Sequence, residues 1–202
     1  MEDDDDLAAP LFAAIAGDEG GFAVLWRALH PALIRYLRVM VGDAAEDVAS
    51  ETWLQACRDL PRFQGGTTAF RAWLFRIARN RAIDERRRLG RRPEEPTAAV
   101  AEDTIGWRAP DAASQALEGA DTAWALTVIA SLPPDQAEAV MLRAVAGLSV
   151  AACAQVLGKR PGAIRVATMR GLRRLAADPR VRARGSVGWL PDIVGEMRPE
   201  GV

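Results

Sequence analysis

Arginine is the residue type with the clearest chemistry in this chain, and it is concentrated in two segments. Residues 76–92 hold eight arginines against two acids, and residues 159–184 hold nine basic residues against one acid. Guanidinium groups bind phosphates and pair bidentately with guanine. Between these segments, residues 94–121 hold seven acids and one arginine. Although the net charge is only −1, the chain has two regions that are basic enough to bind polyanions. An acidic spacer separates them.

The second basic segment has the layout of a helix-turn-helix. Ser149 is a good helix N-cap, Gly158 suits a tight turn, and Pro161 suits the first turn of a second helix. The side of that second helix opposite Ile164 and Thr168 is suited to a major groove, where arginines meet guanine and apolar side chains meet thymine methyls. The residues predicted to contact duplex DNA are Lys159, Arg160, Arg165, Val166, Met169, Arg170 and Arg173. A helical hairpin with a solvated basic face is the alternative.

The first basic segment follows a glycine pair and begins with aromatic residues. Rings stack on unpaired bases while arginines bind the phosphates, so this pattern is typical of a single-strand binding helix. One side of the helix carries Arg76, Arg79, Asn80, Ile83 and Arg87, and Asn80 suits a base edge. The alternative is that these apolar residues form the core, which is favoured for Phe70 and Leu74 and left open for Trp73.

A polar face is predicted on the helix before the glycine pair. It carries Asp47, Glu51, Gln55 and Arg58. From spacing alone, a solvated surface is the simplest interpretation.

Catalytic and metal chemistry find no support in the sequence. The chain has two cysteines and one histidine, and His30 has no nucleophile or carboxylate placed beside it by the sequence. We therefore predict no enzyme activity, no metal and no cofactor. No apolar run approaches the roughly 20 residues that span a bilayer, and the N-terminus is acidic. The sequence thus predicts no membrane insertion and a cytoplasmic location.

Apolar residues recur at helical spacing through most of the chain, and no strand-like alternation is convincing. The predicted fold class is all-α, with two small helical domains joined by an acidic linker. The predicted helices span residues 22–40, 44–60, 69–89, 120–131, 133–146, 149–157 and 161–175. The predicted divisions are a loose acidic arm (1–20), with a short helix at its end as an alternative, a first domain (21–92), a linker containing Trp107 (93–119), a second domain (120–177) and a C-terminal tail (178–202).

Two long stretches resemble a known family. Residues 22–92, with DAAEDVASETWLQACRDLPRF (43–63) and AFRAWLFRIARNRAIDERRR (69–88), resemble the sigma-two domain of the extracytoplasmic-function (ECF) sigma factors. Residues 132–175, LPPDQAEAVMLRAVAGLSVAACAQVLGKRPGAIRVATMRGLRRL, resemble their sigma-four domain. The arginine-rich composition fits a GC-rich bacterium. Two independent matches in the family's order are more specific than either motif alone.

The resemblance implies a factor that directs core RNA polymerase to promoters, recognises their −35 and −10 elements and melts the latter, while the polymerase does the chemistry. It implies that the polymerase-binding residues are Asp47, Glu51, Gln55 and Arg58. It implies that the −10 DNA-binding residues are Phe63, Gln64, Thr67, Trp73, Arg76, Ile77, Asn80 and Arg87, with the loop 63–68 capturing a flipped base. It assigns the seven duplex-contact residues of the helix-turn-helix to the −35 element. The implied partners are core RNA polymerase, promoter DNA and an anti-sigma factor.

Other functions stay open at this point. A stand-alone helix-turn-helix regulator is the main alternative, and it predicts tight duplex binding without polymerase. An anti-sigma or adaptor protein would need no basic recognition helix. Three features depart from the family pattern. Arg160 replaces a small capping hydroxyl, and Cys153 replaces a larger aliphatic residue. About 25 residues also follow the sigma-four match, and VGWLPDIVGEM (187–197) is apolar enough to pack somewhere, as a regulatory tail or a partner contact, with a disordered end as the alternative.

Overall fold

The computed structural model describes residues 6–90 and 119–184. The elements in these two ranges are helical, so the prediction of an all-α fold is confirmed. The first bundle contains α1 (Ala8–Ile15), α2 (Glu19–Val41), α3 (Ala45–Asp59) and α4 (Thr67–Gly90), with 3₁₀ turns at Gly42–Ala44 and Leu60–Arg62. The second contains α5 (Ala120–Ala130), α6 (Pro134–Val140), a π-helical turn (Met141–Val145), α7 (Val150–Leu157), α8 (Pro161–Ala177) and α9 (Pro179–Ala183).

The N-terminal helix α1 is a short helix of the kind considered for the end of the arm, but it packs against the bundle rather than lying loose. Leu11 and Ala14 are buried. α1 approaches α2 closely at Gly21, where an added Cβ would lie 2.6 Å from the carbonyl oxygen of Pro10. The Gly21 N–H also donates a 2.6 Å hydrogen bond to the Asp18 carboxylate, which caps α2. A glycine and a helix cap therefore set how the chain enters the first bundle.

The first bundle buries one face of each of its three long helices. The fully buried rings of Phe70 and Phe75, with Leu74, form the α4 side of this core. The prediction that Phe70 and Leu74 belong to the core is confirmed. α4 begins at Thr67, two residues earlier than the sequence pattern predicted, and this places Thr67 in the buried first turn.

The second bundle places the helix-turn-helix against α6. Ile164, Thr168, Leu172 and Leu175 are buried, as their spacing predicted. α8 lies so close to α6 that a Cβ at Gly171 would be 2.8 Å from Cγ2 of Val140. The helix predicted over residues 133–146 is not a regular α-helix, because Met141–Val145 form the π-helical turn.

The two bundles pack on each other, which the sequence pattern did not predict. α2 contacts α5, α6 and the π-helical turn, while α4 contacts α7. The side chains of both bundles belong to one continuous apolar cluster. Arg71 of α4 also donates a 3.4 Å hydrogen bond to the carbonyl of Ala146. The two helical domains that the sequence predicted are therefore present, and in the described residues they pack against each other.

The segment after α8 continues as a short helix that folds back on α5. Arg184 lies 4.7 Å from the ring centroid of Trp124 and pairs with Asp121. Arg180 donates a 2.9 Å hydrogen bond to the Ser131 hydroxyl. Residues 178–184 of the predicted tail are therefore packed. The predicted linker with Trp107, and residues 187–197 of the tail, lie outside the described residues.

Candidate nucleic-acid and polymerase interfaces

Local sequence chemistry builds the helix-turn-helix. The Ser149 hydroxyl accepts a 3.1 Å hydrogen bond from the backbone N–H of Ala152, and so caps α7. Gly158 adopts the left-handed conformation, with φ 63° and ψ 30°, as a tight turn between two helices requires. Pro161 then opens α8. These three predicted roles are confirmed.

The outer side of α8 carries the residues predicted to contact duplex DNA. All seven are exposed, including Val166 and Met169, each at 46% of its full accessible surface. Two large apolar side chains in solvent among arginines are unusual for a merely solvated surface. Arg160 holds the N-cap position without a side-chain capping bond, which leaves its guanidinium at the start of the helix. The arrangement suits a groove in which thymine methyls and phosphates are both within reach.

Three aromatic rings meet where the glycine loop joins α4. The ring centroids of Phe63, Phe70 and Trp73 lie 5.2–5.6 Å apart. Phe70 is fully buried, whereas Phe63 and Trp73 are half-buried and lie at the surface. Gly65 has a φ of 148°, and a Cβ there would lie 3.2 Å from Cζ of Phe63. The glycine therefore lets the loop close over the Phe63 ring.

Trp73 also lines a cavity of about 540 Å³ between the two bundles. Four residues predicted for the −10 site meet there: Phe63, Gln64, Trp73 and Arg76. The opposite wall is formed by Gln155 and Val156 of α7. The cavity combines two rings, an amide and a guanidinium, and this is a suitable lining for a nucleotide base and its phosphate.

The remaining residues of the predicted −10 set are not brought to this cavity. Asn80 and Arg87 are exposed further along α4, where Arg87 lies 3.7 Å from Asp84. Thr67 and Ile77 are only 8% and 6% exposed, so their side chains do not reach the surface in this arrangement, and their contact with DNA stays a prediction. Thr67 is buried because α4 starts early, and Ile77 is buried because it belongs to the apolar side of α4.

Arg79 was left out of the predicted site although it shares a side of α4 with Arg76 and Asn80. Its Nε donates a 2.8 Å hydrogen bond to the carboxylate of Glu138 in the second bundle. Its position on α4 was visible in the helical spacing. Its partner was not, since Glu138 lies 59 residues further along the chain.

The predicted polar face on α3 forms a surface together with α4. Asp47 and Glu51 line a shallow cavity of about 570 Å³ with Arg81, Asp84 and Arg88 of α4. Leu54 lies in the same cavity and is 66% exposed, although sequence reasoning did not select it. Its signal was an apolar residue among the polar positions of one helix face. Arg58 is exposed one turn beyond Leu54, and Gln55 is bound by Arg81.

Two further potentially reactive side chains, His30 and Cys153, are packed against other residues of the fold. His30 is half-buried, stacks on Trp26 with centroids 4.5 Å apart, and accepts a 3.3 Å hydrogen bond from the Trp53 indole. Burial raises the pKa of the Cys153 thiol to about 11. Within residues 6–90 and 119–184, no group of three or more metal-ligating side chains occurs. In the same ranges, the helices are too short or too polar to cross a membrane.

Comparison with known proteins gives matches for both bundles. The family model of Sigma-70 region 2 matches residues 25–92, and that of Sigma-70 region 4 matches residues 122–175. The ECF RNA polymerase sigma factor ShbA of Streptomyces griseus is 35% identical, over 88% of this chain and 98% of that protein. The ECF RNA polymerase sigma factor SigD of Mycobacterium tuberculosis is 33% identical, over 84% of this chain and 82% of that protein.

Solved structures show the same helical arrangement. CnrH in complex with the cytosolic domain of CnrY matches with a TM-score of 0.58 and 26% identity, over 90% of this chain and 99% of that one. The sigma factor RpoE of Bartonella quintana, solved with the anti-sigma factor NepR, matches with a TM-score of 0.55 and 22% identity, over 88% of this chain and 98% of that one. The second likeness is one of fold.

Proposed function

Because the chain belongs to the extracytoplasmic-function family of RNA polymerase sigma factors, and so directs core RNA polymerase to promoters, we propose that each of its two basic surfaces binds a different promoter element. The outer side of α8 reads the −35 element as duplex, since a helix of this kind fits the major groove. The part of α4 that carries Trp73, Arg76 and Asn80 binds the −10 strand. The observation that supports this assignment is the difference between the side chains of the two helices. α8 presents flexible apolar and basic side chains, whereas α4 presents packed rings beside arginine.

Base capture at the −10 element takes place beside the glycine loop. Phe63 and Trp73 offer ring surfaces, and Gln64 offers a donor and an acceptor for a base edge. A base that stacks there offsets the few kcal/mol needed to leave the duplex. Thr67 and Ile77 support the loop and the helix from inside rather than touching the strand.

The surface shared by α3 and α4 binds core polymerase. It contains Asp47, Glu51, Gln55 and Arg58, and we add Leu54 to this set. An exposed leucine within a ring of charged residues is the usual composition of a protein interface, with an apolar centre and a polar rim.

The chain itself carries out no chemical step in this proposal. It positions the promoter and opens it, and the polymerase forms the phosphodiester bonds. It acts in the cytoplasm, where polymerase and chromosome are. We also propose that an anti-sigma factor holds it inactive, since the likeness to CnrH, solved with a partner protein, extends over both bundles.

The test is transcription by core polymerase on a promoter library, with sequencing of the transcript starts. The purified chain should restrict the starts to promoters that share a −35 and a −10 element. Core polymerase alone should not. The chain without polymerase should bind the same promoters weakly. Tight duplex binding by the chain alone, with no change in the starts, would indicate a stand-alone regulator instead.

A further inference from the structure

A carboxylate of the second bundle is buried against the first. Glu138 of α6 is only 7% exposed. It accepts a 3.1 Å hydrogen bond from the Tyr36 hydroxyl of α2 and a 2.8 Å hydrogen bond from Arg79 of α4. A glutamate is rarely buried unless a cation and further donors compensate its charge. Here both partners come from the other bundle, so the compensation exists only while the bundles are together.

The apolar surroundings show that this contact is part of a core. Residues 36–42 of the α2 segment are all buried, which is more than one stripe of a helix. One side of α2 faces α3 and α4, and the other faces α5, α6 and the π-helical turn. Tyr36 is fully buried, with its ring 5.5 Å from that of Phe75. The C-terminal part of α2, from Tyr36 onwards, is therefore covered on every side by the same folded body.

The closed arrangement obstructs the surface proposed for the −10 strand. The cavity that holds Phe63, Trp73 and Arg76 is walled on its far side by α7. One turn further along α4, Arg79 is occupied by Glu138. Arg79 adjoins Asn80 and follows Arg76 by three residues, so its guanidinium lies along the path of a strand bound to those two residues.

We infer that Glu138 is an internal counter-ion that holds the protein closed, and that Arg79 is a further phosphate contact of the −10 strand that becomes accessible when the bundles separate. The carboxylate takes the place of a DNA phosphate on Arg79 in the closed form. The inference rests on the proposed function only in the identity of that strand. Closure itself is a property of the chain without DNA or polymerase.

The contact of Glu138 with Tyr36 and Arg79, which we call the lock, is tested by reversing the charge of Glu138. Glu138→Lys places an ammonium beside Arg79 and should open the bundles. Asp135→Lys is the matched control, because Asp135 is exposed on the same helix and undergoes the same change of charge. Glu138→Gln is the milder variant, which keeps the size of the side chain and an acceptor for Tyr36. Far-ultraviolet circular dichroism shows that each variant remains helical.

The sequence provides a reporter at the interface, since Tyr36 is the only tyrosine. Incorporation of 3-fluorotyrosine gives one ¹⁹F resonance from the full chain. We expect a resonance shifted from that of the unfolded chain for the wild type and Asp135→Lys. For Glu138→Lys we expect the ¹⁹F resonance to move towards its chemical shift in the unfolded chain. We also expect the variant to have a larger radius of gyration in solution. A buried signal in both Glu138 variants would overturn the lock.

The DNA contact is tested with a fluorescent oligodeoxythymidine. If the open form is about 1–10% populated in the wild type, opening by Glu138→Lys raises affinity about 10- to 100-fold. The Asp135→Lys control accounts for the added positive charge. In the Glu138→Lys background, Arg79→Ala should lower the slope of log affinity against log salt by about 0.7, the value for one phosphate on a single strand. Arg27→Ala, an exposed arginine of α2, should not.

The role of Glu138 in closure and the phosphate contact of Arg79 can be refuted independently of each other. An unchanged salt slope in an opened protein would exclude Arg79 as a phosphate contact and leave the lock intact. Failure of both parts would leave the transcription test of the proposed function unaffected, because that test uses the unmodified chain with core polymerase.

Discussion

Arg81 of α4 donates two hydrogen bonds, of 3.1 and 2.9 Å, to the side-chain oxygen of Gln55 on α3. The same guanidinium lies 3.7 Å from the carboxylate of Glu51. Two residues of the proposed polymerase-binding surface are thus held in place by a residue of the helix that carries the −10 surface. The proposed polymerase-binding and −10 surfaces therefore share one pair of packed helices.

Leu54→Ala should weaken binding to core polymerase about ten-fold, or about 1.4 kcal/mol, because it removes the apolar centre of the surface. The stability of the fold should not change, since Leu54 is largely exposed. Fluorescence anisotropy of the labelled chain with core polymerase measures this. Phe12→Ala is the control, because Phe12 is 78% exposed on α1 outside the proposed surface. Equal losses in both variants would contradict the assignment.

Arg170→Ala should relax the base preference at one position of the −35 element, at a cost of about 1–3 kcal/mol for the preferred base. Lys159→Ala should instead weaken binding to all sequences alike, because a phosphate contact carries no base information. Holoenzyme binding to promoters with each base at each −35 position separates the two outcomes. The assignment of α8 fails if both variants retain the full preference.

Asn80→Ala should impair promoter opening more than initial binding, because Asn80 is proposed to contact the strand only after it leaves the duplex. Permanganate reactivity of unpaired thymines measures opening, and filter retention of holoenzyme on duplex DNA measures binding. A parallel loss of both quantities would place Asn80 in duplex recognition instead.

The stability of the first bundle should fall as the pH is lowered below the ordinary histidine value of 6.5. Burial lowers the pKa of His30, a nearby Glu46 opposes this, and Arg38 adds to it. The neutral form is therefore favoured in the folded state, and its contribution is present above pH 6.5 and is lost as the pH falls through the lowered value. Urea unfolding between neutral and acidic pH measures the effect. His30→Gln, which does not titrate, should flatten this part of the profile, and an identical profile would exclude His30 as the cause.

Gly171→Ala should destabilise the second bundle by about 1–3 kcal/mol, since the added methyl collides with Val140 of α6 in a packed core. Gly162→Ala is the matched control on the same helix, where an added Cβ meets nothing within 4 Å. There the substitution should stabilise the helix by up to about 1 kcal/mol. Thermal unfolding of the two variants gives opposite signs if the close approach of α8 and α6 is as described.

Sequence alone was sufficient where a residue acts on its chain neighbours. Ser149, Gly158 and Pro161 predicted the helix-turn-helix because capping, left-handed turns and helix starts are properties of a few consecutive residues. The inward side of α8 followed from a period of 3.6 residues, and the whole fold class followed from the same period. The family resemblance extended this to function, and the comparisons agree with it.

Only the tertiary structure decided which residues from distant parts of the chain meet. Nothing in the spacing of Glu138 indicated that it would be buried with Tyr36 and Arg79, because burial of a charge depends on partners from other helices. The packing of α1 against α2 was missed for the same reason. Periodicity tells which side of a helix is apolar, but not which surfaces of two such bundles will cover each other.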